Sequence, residues 1–245
     1  MERAVRVGGV GMVSSARPGR CDTYDVIGEA AVQEALLDAW IPPHRVQRAF
    51  ARYVYGDPTS GQSVLDRFGL SGIPIVNVNN DGARGSSTLW LASRAVASGA
   101  ADCVLAVGFE EMRPSSPQVF GPGTRQKCSP PTRGAAAAVL CSEGFAHRHG
   151  INRRVVIRAP EPATDRSGPF SGQYMMTLVG YDMTRTAARQ VPAAAGVGTE
   201  HVTVMELHDR DVATGLARCV ELVRQLRERA GVRQAEMAGR RTTTA

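Results

Sequence analysis

Apolar, β-branched runs alternate along this chain with segments of helical spacing, and the alternation predicts an α/β fold. The strongest single observation is the stretch Ile73 to Phe109, IPIVNVNNDGARGSSTLWLASRAVASGAADCVLAVGF. A short apolar run, Ile73 to Val78, passes through the polar turn Asn79-Asn80-Asp81 into a segment of small residues, Gly82 to Ser98, and a second apolar run follows at Cys103 to Val107. The two runs have the length and branching of buried strands, and the segment between them suffices for about four helical turns, which makes a βαβ unit. A second observation is the composition of that helix. Gly82, Ala83, Gly85, Ser86, Ser87, Ala92, Ser93, Ala95 and Ala97 leave it almost without bulk, so it can lie backbone to backbone between other elements.

The remaining elements follow in chain order. Val5 to Val13 reads as the first strand, and Asp22 or Thr23 caps a helix running to about Ala39, whose Ile27, Ala30, Ala31, Ala35 and Leu37 have helical apolar spacing. Ala49 to Tyr55 alternates as a second strand and is turned by Gly56-Asp57-Pro58; Gln62 to Phe68 is a short helix before the βαβ unit. A loop rich in Pro, Ser and Gly occupies Arg113 to Arg133. Ala135 to Cys141, with Ser142-Glu143, resumes the strand-then-helix order, and Val155 to Ala159 is a further strand. A helix opens at Val179 to Thr184 and should be truncated by Pro192, because proline lacks the amide hydrogen that an interior helical position donates. Val202 to Leu207 is the last strand expected, and it delivers Glu206-Leu207-His208-Asp209.

Composition excludes several classes. The chain has 245 residues, 43% hydrophobic and 21% charged, enough for one large domain or two halves around a sizeable core. It contains no run of about 18 apolar residues, so no transmembrane helix is expected. The N-terminus lacks a secretory apolar region and Thr242-Thr243-Thr244-Ala245 is not a peroxisomal address, which makes cytoplasmic location the expectation. Five cysteines, Cys21, Cys103, Cys128, Cys141 and Cys219, show no paired spacing; they read as free thiols, and no metal site is expected. Cys103 and Cys141 read as small core residues and Cys128 as the exposed thiol. The net charge of +6 comes from arginines that thicken towards the C-terminus, at Arg224, Arg227, Arg229, Arg233, Arg240 and Arg241. Without interleaved aromatics this is a solvated face, and nucleic-acid binding is not expected.

The residues IPIVNVNN at 73 to 80, the small-residue helix, and the strand ending Val107-Gly108-Phe109-Glu110-Glu111-Met112 resemble the thiolase-like enzymes of the sterol carrier protein X group, which include bacterial lipid-transfer-protein acyltransferases. The resemblance implies a thiolase-like fold, layered α-β-α-β-α, with an incomplete second half. It divides the chain into a first half at 1–116 with a central buried helix at 82–98, a shortened loop region at 117–134, a remainder of the core at 135–239, and a tail at 240–245. Cys128 to Ala138, CSPPTRGAAAA, resembles the family's CSPTSDGAAAA run with Arg133 in place of aspartate. Between that run and Met112 the family inserts a long loop domain that helps to hold coenzyme A, and here about twenty residues span the gap. Tyr55, Gly56 and Gln62 also match family positions near the active site and dimer interface.

By the same resemblance, the family's helix begins Asn-Cys-Ala-Thr-Gly-Ser and its cysteine takes the acyl group; a thiol at a helix N-terminus is readily ionised and attacks thioesters. Here the run is Asp81-Gly82-Ala83-Arg84-Gly85-Ser86, so Gly82 marks the position of the lost nucleophile. His208 in Glu-Leu-His-Asp matches the histidine that helps to form the oxyanion hole. The Gly-His-Pro motif is absent, because Asp209 is joined within a few residues to Ala213-Thr214-Gly215-Leu216-Ala217-Arg218-Cys219, which resembles the helix following that motif. The Cys-x-Gly motif is absent as well. The expectation is a thiolase-family acyltransferase of acyl-CoA and lipid metabolism with impaired or absent catalysis. The alternative is a non-catalytic subunit that binds lipid, acyl-CoA or steroid-CoA, or pairs within a thiolase-like or steroid side-chain aldolase complex. Either would form a homodimer or a heteromer with a full-length relative. No cofactor is implied beyond a coenzyme A thioester as substrate or ligand.

Overall fold

The structure is a computed structural model that describes residues 3–17, 22–53, 55–69, 72–79, 84–111, 133–151, 154–163, 181–202 and 215–228. In order it contains β1 (Val5–Ala16), α1 (Tyr24–Ala39), a 3-10 turn (Pro43–Arg45), β2 (Arg48–Arg52), α2 (Ser60–Asp66) and β3 (Ile75–Val78). These are followed by α3 (Arg84–Ala97), β4 (Cys103–Glu111), β5 (Arg133–Ser142), α4 (Glu143–Arg148), β6 (Val156–Ile157), α5 (Tyr181–Ala195), a 3-10 turn (Thr199–His201) and α6 (Gly215–Glu228). The described strands form one mixed sheet in the order β3-β2-β4-β5-β1-β6. β2 runs parallel to β3 and β4, while β5 is antiparallel to β4 and β1, and β6 antiparallel to β1.

Side chains alternate across a strand, so each strand feeds two cores. Leu105, Val107 and Phe109 of β4 and Val139 of β5 pack with Ile27, Ala31, Val32, Ala35 and Leu36 of α1, Val64 and Leu65 of α2, and Phe145 of α4. Val104, Ala106, Ala138 and Leu140 pack on the opposite face with Ala92, Ala95 and Val96 of α3 and Val220 and Val223 of α6. The result is helices, sheet, helices: three successive layers of the expected order. Covering on both faces explains why β4 and β5 read as continuous apolar runs.

The contact between α1 and β1 is unusually close because Gly9 and Gly11 have no side chains. A Cβ on Gly9 would lie 2.2 Å from the Ala35 carbonyl oxygen, and one on Gly11 2.2 Å from that of Ala31. The approach lets α1 satisfy the edge of β1: the Val10 N–H donates to Asp38 Oδ2 at 2.8 Å and the Met12 N–H to Glu34 Oε2 at 2.8 Å. Arg224 and Arg227 of α6 pair in turn with Glu34 and Asp38, tying the last described helix to the first. α1 ends at Trp40, 88% exposed, in the left-handed conformation (φ 55) that a bulky residue rarely adopts.

Several expectations are corrected. Pro192 does not truncate its helix: α5 runs through it to Ala195. The proline removes one hydrogen bond, to the Ala188 carbonyl, where less than one further turn remains, and the Val197 N–H closes the end by donating to the Pro192 carbonyl at 3.1 Å. β2 stops at Arg52 rather than Tyr55, and Ala49 to Arg52 are all buried instead of alternating, since both faces of the strand are covered. β6 is only Val156–Ile157. Thr23 occupies the N-cap of α1, but its side chain accepts no helical N–H. Its hydrogen bond goes to Asp25, whose carboxyl is held below its usual range by that bond first and more weakly by Arg67.

Candidate functional site at the carboxyl ends of the parallel strands

In parallel sheets the strand carboxyl ends and the helix amino ends meet at one edge, where ligands are held. Here that edge gathers the ends of β3, β2 and β4 and the start of α3. Arg52 pairs across the ladder with Gly108, and Glu110 lies two residues further along β4 on the same face, the face that α3 covers. Their side chains form a buried ion pair: Arg52 Nη2 is 3.5 Å from Glu110 Oε2, and the two residues are 4% and 5% exposed. Glu110 Oε1 also accepts the N–H of Tyr55 at 3.1 Å and of Glu111 at 3.3 Å. A buried charge of this kind persists only when paired and hydrogen-bonded. The pair holds the turn after β2 against the end of β4.

The other face of the same edge is organised by Asn77. Its Nδ2 donates to the Pro58 carbonyl at 3.0 Å and to Gln62 Oε1 at 2.8 Å, and its Oδ1 accepts the Gly61 N–H at 3.2 Å. Gly61 must lack a side chain, since a Cβ would lie 2.2 Å from Asn77 Oδ1 and 2.5 Å from the Ala51 Cβ. Tyr53 stacks on Phe109 with centroids 5.3 Å apart, Phe109 stacks on Tyr24 at 5.3 Å, and the Tyr53 hydroxyl donates to the Pro58 carbonyl at 2.6 Å. Burial pushes the Tyr53 hydroxyl above its usual pKa.

Of the residues singled out by sequence, Tyr55 and Gln62 therefore meet at this edge, and Gly56 makes the turn beside Ser60. Gly82, His208 and Cys128 lie outside the described residues. Arg133 pairs with Glu111 at 2.8 Å, directly opposite it in the β4–β5 ladder, as one arm of a cross-strand ion pair. Sequence reasoning missed Arg52 and Glu110 as partners. Their signal was charge at the carboxyl ends of two strands with apolar centres.

The described cysteines are not poised for attack. Cys103 and Cys141 are fully buried. Desolvation pushes the Cys103 thiol far up, and pushes Cys141 up to about 12 and Cys219 up to about 11. Among the described residues no cluster of metal ligands occurs, and no helix is long and apolar enough to cross a membrane. A cavity of about 490 Å³ opens at the opposite end of the sheet, lined by Arg3, Asp102, Ser142, Glu143 and Arg148. Asp102 there already accepts from Arg3 at 3.1 Å and from the Ser142 hydroxyl at 2.8 Å.

The architecture matches a solved structure of OleA from Xanthomonas campestris, a cysteine-to-serine variant with bound lauric acid and lauroyl-CoA, at a TM-score of 0.69 and 14% identity over 95% of this chain and 93% of that one. That likeness shows the fold, and sequence identity to relatives shows the class: the chain belongs to the thiolase superfamily. No family model matches it. Within the superfamily its sequence is similar to sterol carrier protein 2 of Gallus gallus, 32% identical over 296 residues, covering 85% of this chain and 54% of that protein. It is also 27% identical over 286 residues to the benzoylsuccinyl-CoA thiolase subunit BbsB of Thauera aromatica, covering 85% of this chain and 72% of the relative. The chain thus spans about half the length of the sterol carrier proteins it matches. The 296 aligned positions exceed the 245 residues of the chain, so these relatives carry internal segments that it lacks.

Proposed function

We propose that this chain is a thiolase-family acyltransferase by descent that binds acyl-CoA but no longer performs the family's covalent chemistry. The observation that carries the proposal is Gly82. It stands two residues before the first described residue of α3, where the family has its nucleophilic cysteine. Glycine offers no thiol, and desolvation keeps the thiols of Cys103, Cys141 and Cys219 protonated, so none of these replaces it. Loss of a covalent nucleophile alone typically lowers rates by about 10⁴ to 10⁶. The missing Gly-His-Pro segment removes the base as well. His208, as the oxyanion-hole donor by resemblance, would contribute only about 10² to 10³ and has no attacking group to assist.

Two likenesses support acyl-CoA as the ligand class. One structural neighbour holds lauroyl-CoA and one relative is named a CoA thiolase subunit. On this proposal the chain works in the cytoplasm as a homodimer, or as the non-catalytic partner of a full-length thiolase-like or steroid side-chain aldolase protein. The specific support for pairing is β3, which lies at the edge of the sheet of described strands with Val76 43% exposed. An unpaired edge is a template for another strand. The division into a half at 1–116, a shortened loop region at 117–134 and a remainder at 135–239 belongs to the same proposal.

The test is thiolysis of acetoacetyl-CoA and a medium-chain 3-ketoacyl-CoA with free CoA, run beside Gly82→Cys and a thermal melt with and without lauroyl-CoA. The expected result is no rate above background and a ligand-dependent rise in Tm. Turnover by the natural sequence would overturn the loss of catalysis. Absence of any Tm shift would overturn acyl-CoA binding and leave the partner role.

A further inference from the structure

Two cysteines that the functional reading leaves unused face each other across the sheet. Cys103 opens β4, Cys141 lies one residue from the end of β5, and the two are direct partners in the antiparallel register. Both side chains belong to the apolar cluster on the α1 face, so they point the same way. The backbone of Cys103 is turned towards Gln47 rather than towards β5. Its carbonyl accepts the Gln47 N–H at 3.0 Å, and its own N–H donates to Gln47 Oε1 at 3.3 Å. The next pair outward is the bonded one, with the Ser142 N–H donating to the Asp102 carbonyl at 2.9 Å. Alternation therefore places Cys103 and Cys141 at a non-hydrogen-bonded position, where Cα atoms are about 4.5 Å apart and side chains are closest. A disulfide spans Cα separations of about 4.4–6.8 Å, so the backbone need not move to bridge them. Space for the sulfur of Cys141 comes from the bulge of β1 at Gly8, where a Cβ would stand 3.5 Å from Cys141 Sγ and 2.9 Å from Ile151 Cγ2.

We propose that Cys103 and Cys141 are a covalent modification site, a dithiol that hydrogen peroxide converts into a cross-strand disulfide stapling β4 to β5. One sulfur, as thiolate, attacks the peroxide; the O–O bond breaks, a sulfenic acid forms, and the departing hydroxide takes up a proton as water. The second sulfur, losing its proton, attacks the sulfenic sulfur; the S–O bond breaks and a second water leaves. The two sulfurs lose two electrons and the peroxide is reduced to two waters. The oxidant approaches from the end of the sheet: Asp102 and Ser142, one residue outward on each strand, line the cavity there. Because both thiols are buried and un-ionised, the reaction is slow in the closed sheet and proceeds when the strand ends part. The bond closes a covalent ring around the whole β4–β5 connection, which restricts the unfolded chain and raises Tm by roughly 5–15 °C.

The experiment is peroxide treatment of the reduced full-length chain, in buffer and in sub-denaturing urea. It is followed by alkylation, intact mass measurement, a non-reducing peptide digest, and thermal melts with and without dithiothreitol. The expected result is loss of the mass of two hydrogens, a linked peptide containing Cys103 and Cys141, and a raised Tm that dithiothreitol reverses. Cys103→Ala and Cys141→Ala should lose both the link and the Tm shift; if either fails to fold, the peptide map of the unaltered chain decides alone. The proposal is overturned if Cys103 and Cys141 remain alkylatable after peroxide treatment in sub-denaturing urea, if either links to a different cysteine, or if the bond forms and Tm falls.

Discussion

Replacing Gly9 by alanine tests the contact on which the α1 layer rests. The added Cβ would lie 2.2 Å from the Ala35 carbonyl oxygen, 2.5 Å from the Ala39 nitrogen and 2.7 Å from the Ala39 Cβ. Carbon contacts settle near 3.5–4.0 Å, so α1 must retreat by about 1 Å, and the obstructing atoms are mostly backbone, which cannot rotate away. Overpacking of this kind costs about 1–3 kcal/mol. The retreat also lengthens the bonds from the Val10 N–H to Asp38 and from the Met12 N–H to Glu34, charge-assisted bonds worth about 1.5–3 kcal/mol each when intact. With partial loss of both, Gly9→Ala should destabilise by about 3–5 kcal/mol. Urea unfolding followed by far-ultraviolet circular dichroism measures this, with Gly69→Ala as control. Gly69 has φ +71 and nothing within 4 Å, so only left-handed strain of about 1–2 kcal/mol applies there. If Gly9→Ala were no more destabilising than Gly69→Ala, the backbone contact between β1 and α1 would be refuted.

Glu110→Gln removes the charge opposite the buried Arg52 guanidinium and should destabilise by about 3–5 kcal/mol, measured by the same unfolding curves; a loss under about 1 kcal/mol, the range of an exposed pair, would show the pair is not buried. Alkaline pH should weaken the fold through its thiols. Desolvation first, with Glu143 and Asp102 adding to it and Arg6 opposing, pushes the Cys141 thiol of the folded state up to about 12, against 9.0 for the ordinary thiol. The folded state keeps the proton that the unfolded state releases, so this contribution is fully present below pH 9 and is lost as pH rises towards 12. By pH 10 about one pH unit of this linkage, on the order of 1 kcal/mol, has been lost, read as the difference in pH dependence between the natural chain and Cys141→Ala. Trp40→Gly relieves a left-handed residue whose 88% exposed ring buries almost nothing. It should leave stability unchanged or raise it by up to about 1 kcal/mol in a thermal melt, and a clear loss would mean that the indole has a packing role.

The βαβ unit was legible because its periodicities are local: strand runs, a polar turn and a small-residue helix each announce themselves within a few residues. β4 and β5 were found for the same reason, and Cys103 and Cys141 were recognised as interior because they interrupt apolar runs without breaking them. Boundaries were less legible. The pattern through Tyr55 does not reveal that β2 ends at Arg52, level with the end of β3 at Val78, although β4 runs on to Glu111. Pro192 misled because its cost depends on how much helix remains beyond it. The ion pair of Arg52 with Glu110 and the cross-strand pair of Arg133 with Glu111 could not be read at all, because each joins residues that only the sheet brings together.

The sequence by itself determined the class of fold and the superfamily, and the proposal that catalysis is lost rests on it too, because chemistry at a single position such as Gly82 is carried by the side chain written there. The tertiary structure alone decided that β2 lies between β3 and β4, so that three carboxyl ends converge on Arg52, Glu110, Tyr55 and Asn77. It also decided that Cys103 faces Cys141 at a non-hydrogen-bonded position, and that Gly9 and Gly11 admit α1 to backbone contact. Strand order and register are set by long-range burial and by bonds between groups remote in sequence, and no local pattern encodes them.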